Sequence, residues 1–86
     1  SSEKLKEEGQ YKMDLKDGVW KSYSSDGYLI NATRFKRGKL HGWVEFYDSS
    51  GNRIDRTLYQ NGERLNEKRT KAVLESLKRK GLDPND

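Results

Sequence analysis

A shift of 24 positions lays much of this chain on itself. It brings Gly18 onto Gly42, Tyr23 onto Tyr47, Ser25 onto Ser49 and Gly27 onto Gly51. It also brings Ile30 onto Ile54, Thr33 onto Thr57 and Gly38 onto Gly62, with Phe35 falling on Tyr59. Moving back by the same step puts Tyr11 on Phe35 and Leu5 on Leu29. The chain therefore divides into a half unit at 3–17, full units at 18–41 and 42–65, and a tail that follows another rule. Such a short period narrows the choice of fold sharply. Each unit is one small piece of supersecondary structure that buries its apolar face only against its neighbours.

Each unit has the grammar of a β-hairpin. Residues 19–23 are rich in strand formers, Ser24-Ser25-Asp26-Gly27 supplies a turn, and 28–35 returns. The second unit repeats this with 42–47, the turn Asp48-Ser49-Ser50-Gly51, and 52–59. Gly38 and Gly62 turn the chain from one hairpin into the next. The expected fold is mainly β: an antiparallel meander of successive hairpins with one C-terminal α-helix. Two registers compete. A two-residue turn at Asp26-Gly27 sets Tyr23 opposite Ile30, and a three-residue loop sets it opposite Leu29. Ile30 and Ile54 are apolar in both units while Leu29 corresponds to Arg53, which favours the two-residue turn.

The tail changes period. Thr70, Val73, Leu74 and Leu77 fall on one helical stripe, which predicts a helix over 66–81. Asn66 suits the N-cap, and Glu67 suits the positive end of the helix dipole. Lys78, Arg79 and Lys80 suit the other end. Gly81 fits a left-handed position after it, with Leu82 reaching back to Leu77. Residues 82–86, with Pro84, read as a flexible tail.

The string Asp17-Gly18-Val19-Trp20-Lys21-Ser22-Tyr23, then Asp26-Gly27-Tyr28-Leu29, then Phe35-Lys36-Arg37-Gly38-Lys39-Leu40-His41-Gly42 resembles the variant MORN repeat. That short unit, G-x-W-x-x-Y … N/D-G-x-L … Y-x-x-G-K-x-x-G, occurs in bacterial proteins that include the YwqK-family antitoxins. The resemblance covers about residues 3–65. The second unit departs by carrying Trp43 one position early, with Val44 in the tryptophan position. What the resemblance implies is an elongated twisted sheet of hairpins serving as a binding surface, and a partner-neutralising role of the antitoxin type.

Composition limits the chemistry. Of 86 residues, 30% are hydrophobic and 37% charged, so the core is thin. With no cysteine, neither disulfides nor thiolate metal sites are open to it. No apolar run approaches the roughly 20 residues that span a bilayer. The net charge of +4 is modest for a nucleic-acid binder. No catalytic constellation stands out: His41 takes the turn position that Asp17 holds in the first unit, and Ser24, Ser25, Ser49 and Ser50 fall in turns. Asp48-Ser49-Ser50-Gly51-Asn52 has alternating oxygens like the start of a calcium loop, but Arg53 stands where glycine is required. The reading is thus a non-enzyme with no cofactor and no metal.

Nine aromatics remain to be explained. Trp20, Tyr23, Phe35, Trp43, Phe46, Tyr47 and Tyr59 are the candidate partner-binding residues, because buried Trp and Tyr dominate interface energetics. Trp20 and Trp43 fall on opposite strand faces by alternation. The function expected is the binding of another protein, with a toxin as the partner if the resemblance holds. The alternatives are a structural cell-envelope module without a discrete ligand, or a single-stranded nucleic-acid binder. The basic tail helix suits docking on its own sheet, with an acidic membrane surface as the competing partner, and an open sheet edge leaves homodimerisation open. The compartment is cytoplasmic by default, and the cell envelope if a leader preceded Ser1.

Overall fold

The computed structural model describes residues 6–86; the start of the half unit, with the match of Leu5 to Leu29, lies outside them. Seven strands form one antiparallel meander: β1 (Lys6–Lys12), β2 (Leu15–Tyr23), β3 (Leu29–Lys36), β4 (Lys39–Leu40), β5 (Gly42–Tyr47), β6 (Arg53–Gln60) and β7 (Glu63–Arg64). Among the described residues a single helix, α1 (Glu67–Lys80), follows. The spatial order is β1-β2-β3-β5-β6-β7, with β4 also paired to β3. The mainly β fold with a C-terminal helix agrees with the sequence reading.

The 24-residue period is written into the main-chain hydrogen bonds. Gly38 N–H donates to the Lys16 carbonyl, and Gly62 N–H donates to that of Leu40. His41 N–H donates to Arg34, and Leu65 N–H donates to Leu58. Ser24 N–H bonds the Tyr28 carbonyl as Asp48 N–H bonds that of Asn52. Three two-residue loops, Met13-Asp14, Arg37-Gly38 and Asn61-Gly62, recur at the same step, and all six residues have positive φ. That is the geometry of the type I′ turn, whose twist matches the flanking strands.

The register differs from the expectation in an instructive way. Tyr23 lies opposite Leu29, and Tyr47 opposite Arg53, so the loops are of the three-residue kind. Gly27 and Gly51, at φ 91° and 86°, close them. One step inward the ladder shifts, and Ser22 meets Asn31, the pairing that a two-residue turn would give. The bulge at Ile30, repeated at Ile54, absorbs the extra residue. The isoleucines were a poor guide because a bulge residue need not point into a core; Ile54 is exposed.

Strand alternation sorts the side chains onto two faces. Tyr11, Trp20, Phe35, Val44, Phe46 and Tyr59 share one face, and Val19, Ala32, Arg34, Trp43, Glu45, Arg56 and Leu58 share the other, as the cross-strand pairs require. The buried hydrophobic residues are Trp20, Ala32, Val44, Leu58 and Leu65, with Leu58 only 1% exposed. Helix α1 begins as expected: the Asn66 side chain accepts from Arg69 N–H. It ends with Gly81 at φ 70° and Leu82 N–H donating to Leu77. Residues 82–86, expected to be a flexible tail, instead fold back. Asn85 Oδ1 accepts from Trp43 N–H at 2.9 Å, and the Asp86 main-chain oxygen lies 2.8 Å from His41 Nε2. Gly42, at φ 104°, leaves room for this, since a Cβ there would sit 2.6 Å from Asn85 Oδ1.

Candidate binding surface

The seven aromatics singled out from the sequence do not form one site. Trp20, Phe35, Phe46 and Tyr59 lie on the first face, whereas Tyr23, Trp43 and Tyr47 lie on the second. Trp20 anchors the first group. Its ring meets Tyr11 edge-on at 5.0 Å and Phe35 at 6.4 Å. Its indole N–H donates to the Gln10 carbonyl. The Lys16 ammonium sits 4.5 Å from the Trp20 ring centre and 5.1 Å from that of Phe35. Tyr11 in this cluster is 63% exposed; Phe46, on the same face but opposite Asn31 and four residues along β3 from Phe35, is 37% exposed. The one described element outside the sheet, α1, borders the other face across a cleft, and none of its residues is buried.

On that second face α1 and the sheet border an open cleft of about 970 Å³, lined by Trp43, Leu58, Leu65 and Leu74 among others. Arg56 lays its guanidinium 3.8 Å from the centre of the Trp43 ring. Beside it, Glu45 accepts from Arg34 at 2.8 Å and from Arg53 at 3.1 Å. Arg34 also donates to the Trp43 carbonyl. Burial works against ionisation of Glu45, but the bonds from the two guanidiniums outweigh it and hold its carboxyl below the usual range. Further along, the Tyr23 hydroxyl donates to Glu8. That bond, with some desolvation and the Glu8 charge, raises the phenol above its ordinary value.

The residues weighed for chemistry have structural employment. Asp48 Oδ1 accepts from Ser50 and Asn52 N–H, and Ser24 Oγ accepts from Tyr28 N–H in the same place of the first unit. His41 Nδ1 accepts from Asn61 N–H, which leaves Nε2 to donate to the Asp86 main-chain oxygen. Among the described residues, no group of three or more His, Asp or Glu side chains is placed to hold a metal ion.

Arg56 escaped the sequence reading. The signal was present, because Arg56 takes the place of Ala32 at the 24-residue step. A cation there replaces a buried methyl group. Comparison of this chain with protein-family models, with curated proteins and with solved structures gives no match. The resemblance to variant MORN units therefore rests on its own residues.

Proposed function

We propose that this chain is a non-enzymatic repeat module that binds another protein through the uncovered aromatic face of its sheet. The observation that carries the reading is the cluster of Tyr11, Trp20 and Phe35, with Phe46 partly exposed elsewhere on the same face. That face is opposite the Trp43 and Leu58 side chains that line the α1 cleft. Solvated aromatics beside buried ones are the composition of a protein-binding hot spot. The turn duties of His41 and Asp48 support a role in contact rather than catalysis. The antitoxin resemblance narrows the partner to a toxin blocked by that contact.

Single-stranded nucleic acid is the weaker reading for a physical reason. Bases stack on open ring faces, but Lys16 stands over Trp20 and Arg56 over Trp43. The test is affinity capture from the native host, and co-expression with the product of the adjacent gene. A Tyr11→Ser/Phe46→Ser variant serves as control, since both side chains are exposed and the fold is expected to survive. The intact chain should retain a partner that the variant loses. Equal retention by both, or none by either, contradicts the proposal.

A further inference from the structure

We infer that the outer edge of β6 is a docking slot for one extended segment of the partner protein, with an acidic side chain opposite Arg56. This rests on the protein-binding reading but uses a different surface. In the first unit, Asn31 and Ala32 of β3 pair outward with Phe46 and Glu45 of β5. The equivalent residues 24 positions on are Asp55 and Arg56 of β6. These pair inward with β5. Outward, β7 reaches only Tyr59 and Gln60, and Leu65 N–H adds one bond to Leu58. From Glu67 the chain is helical. The outer edge at 55–57 thus has no strand partner among the described residues, and such an edge is a template for an added strand. The Arg56 N–H is held instead by Asp55 Oδ1 at 2.8 Å, a bond that an added strand would displace.

The chain's own next segment is unsuited to fill the gap. Continuing the β3–β5 register by one repeat would set Thr70 opposite Asp55 and Arg69 opposite Arg56. Two arginines directly opposed repel. The filled slot shows what does fit: there Glu45 faces Ala32, so a strand with the pattern of β5 would bring its glutamate against Arg56. Arg56 belongs to none of the three ion pairs among the described residues, and neither do Arg64 and Lys71, which line the same cleft. Asp55 and Glu67 are the carboxylates there, leaving cations in excess. A second copy of this chain fits less well. Because paired residues must share a face, antiparallel two-fold pairing of β6 opposes Asp55 to Asp55 or Arg56 to Arg56 when centred on either residue. When centred on Thr57 it needs the edge at Leu58 and Tyr59 that Leu65 and β7 already hold.

The test titrates the full chain with a capped peptide, Gly-Thr-Val-Glu-Thr-Tyr, a soluble relative of 42–47, and follows amide and indole NMR signals. Shifts should gather at 55–57 and the Trp43 indole. A peptide with lysine for glutamate, and one N-methylated on alternate amides in the pairing frame, should each bind at least about tenfold more weakly. Arg56→Glu should reverse the preference between the glutamate and lysine peptides. Absence of binding overturns the slot, as do shifts centred on Tyr11 and Trp20, which would leave the protein-binding reading standing. Shifts at 55–57 that grow with protein concentration and no peptide would assign the edge to a second copy, and also overturn it. Peptide binding at the slot supports it even if the host capture yields no partner.

Discussion

The indole of Trp20 occupies the space that a β-carbon on Gly9 would fill. A methyl group there would lie 2.6 Å from the indole Cγ, with the fused-ring carbons as close or closer. The strand register slips at this point, between Glu8 and Gln10, and lets the ring lie over the β1 backbone. Gly9→Ala should therefore destabilise the fold by about 1–3 kcal/mol, as overpacking does. Chemical denaturation read by Trp fluorescence would show a lower midpoint. An unchanged midpoint would mean that Trp20 repacks freely.

The two tryptophans should differ in what their loss does. Trp20 is buried among Tyr11, Phe35 and Lys16, whereas Trp43 is partly exposed beside the cleft. Trp20→Ala should cost about 3–5 kcal/mol, enough to unfold a marginal domain. Trp43→Ala should cost less and free Arg56 from its ring. Thermal unfolding of both variants checks the order, and a Trp43 variant less stable than the Trp20 variant would refute it.

The first hairpin loop carries avoidable strain. Met13 and Asp14 hold φ values of 52° and 65°, where the same turn two units later uses Asn61 and Gly62. Side chains in the left-handed region cost about 1 kcal/mol or more, and Asn-Gly is the favoured type I′ pair. Met13→Asn/Asp14→Gly should raise stability by about 1 kcal/mol, a gain of roughly 4–8 °C in melting temperature for a domain of this size. Calorimetry that shows no gain would place the strain elsewhere.

These particulars show where the sequence was legible. The helix ends could be read because their signals are local: an Asn66 side chain that bonds its own first turn, and a Gly81 free to adopt left-handed φ. The repeat could be read because turn glycines must recur wherever the turn recurs. The register could not, because a bulge at Ile30 lets a three-residue loop and a two-residue ladder coexist in one hairpin. The contact of Asn85 with Trp43 joins residues 42 apart in sequence and leaves no local trace. For the candidate surface, alternation separated Trp20 from Trp43, as the strand pairing does. The open edge of β6 emerged only once the pairing was known, since it depends on where the third repeat stops being a strand.

Acid should expose the contribution of Glu45. Its side chain is 14% exposed and bonded by Arg34 and Arg53, and its carboxyl ionises below the ordinary 4.5 in the folded chain. A depressed folded-state value means that the unfolded chain binds the proton more readily. The stabilisation is therefore complete above about pH 4.5 and declines as pH falls through the folded-state value. Glu45→Gln should cost about 1.5 kcal/mol at neutral pH, the low end for hydrogen bonds to charged groups, because Arg53 is half exposed and screened. The same substitution should flatten the acid limb of a stability–pH profile measured by urea denaturation from pH 7 to pH 3. If variant and parent fall in parallel over that range, other carboxylates govern the acid response and the Arg34–Glu45–Arg53 cluster contributes little.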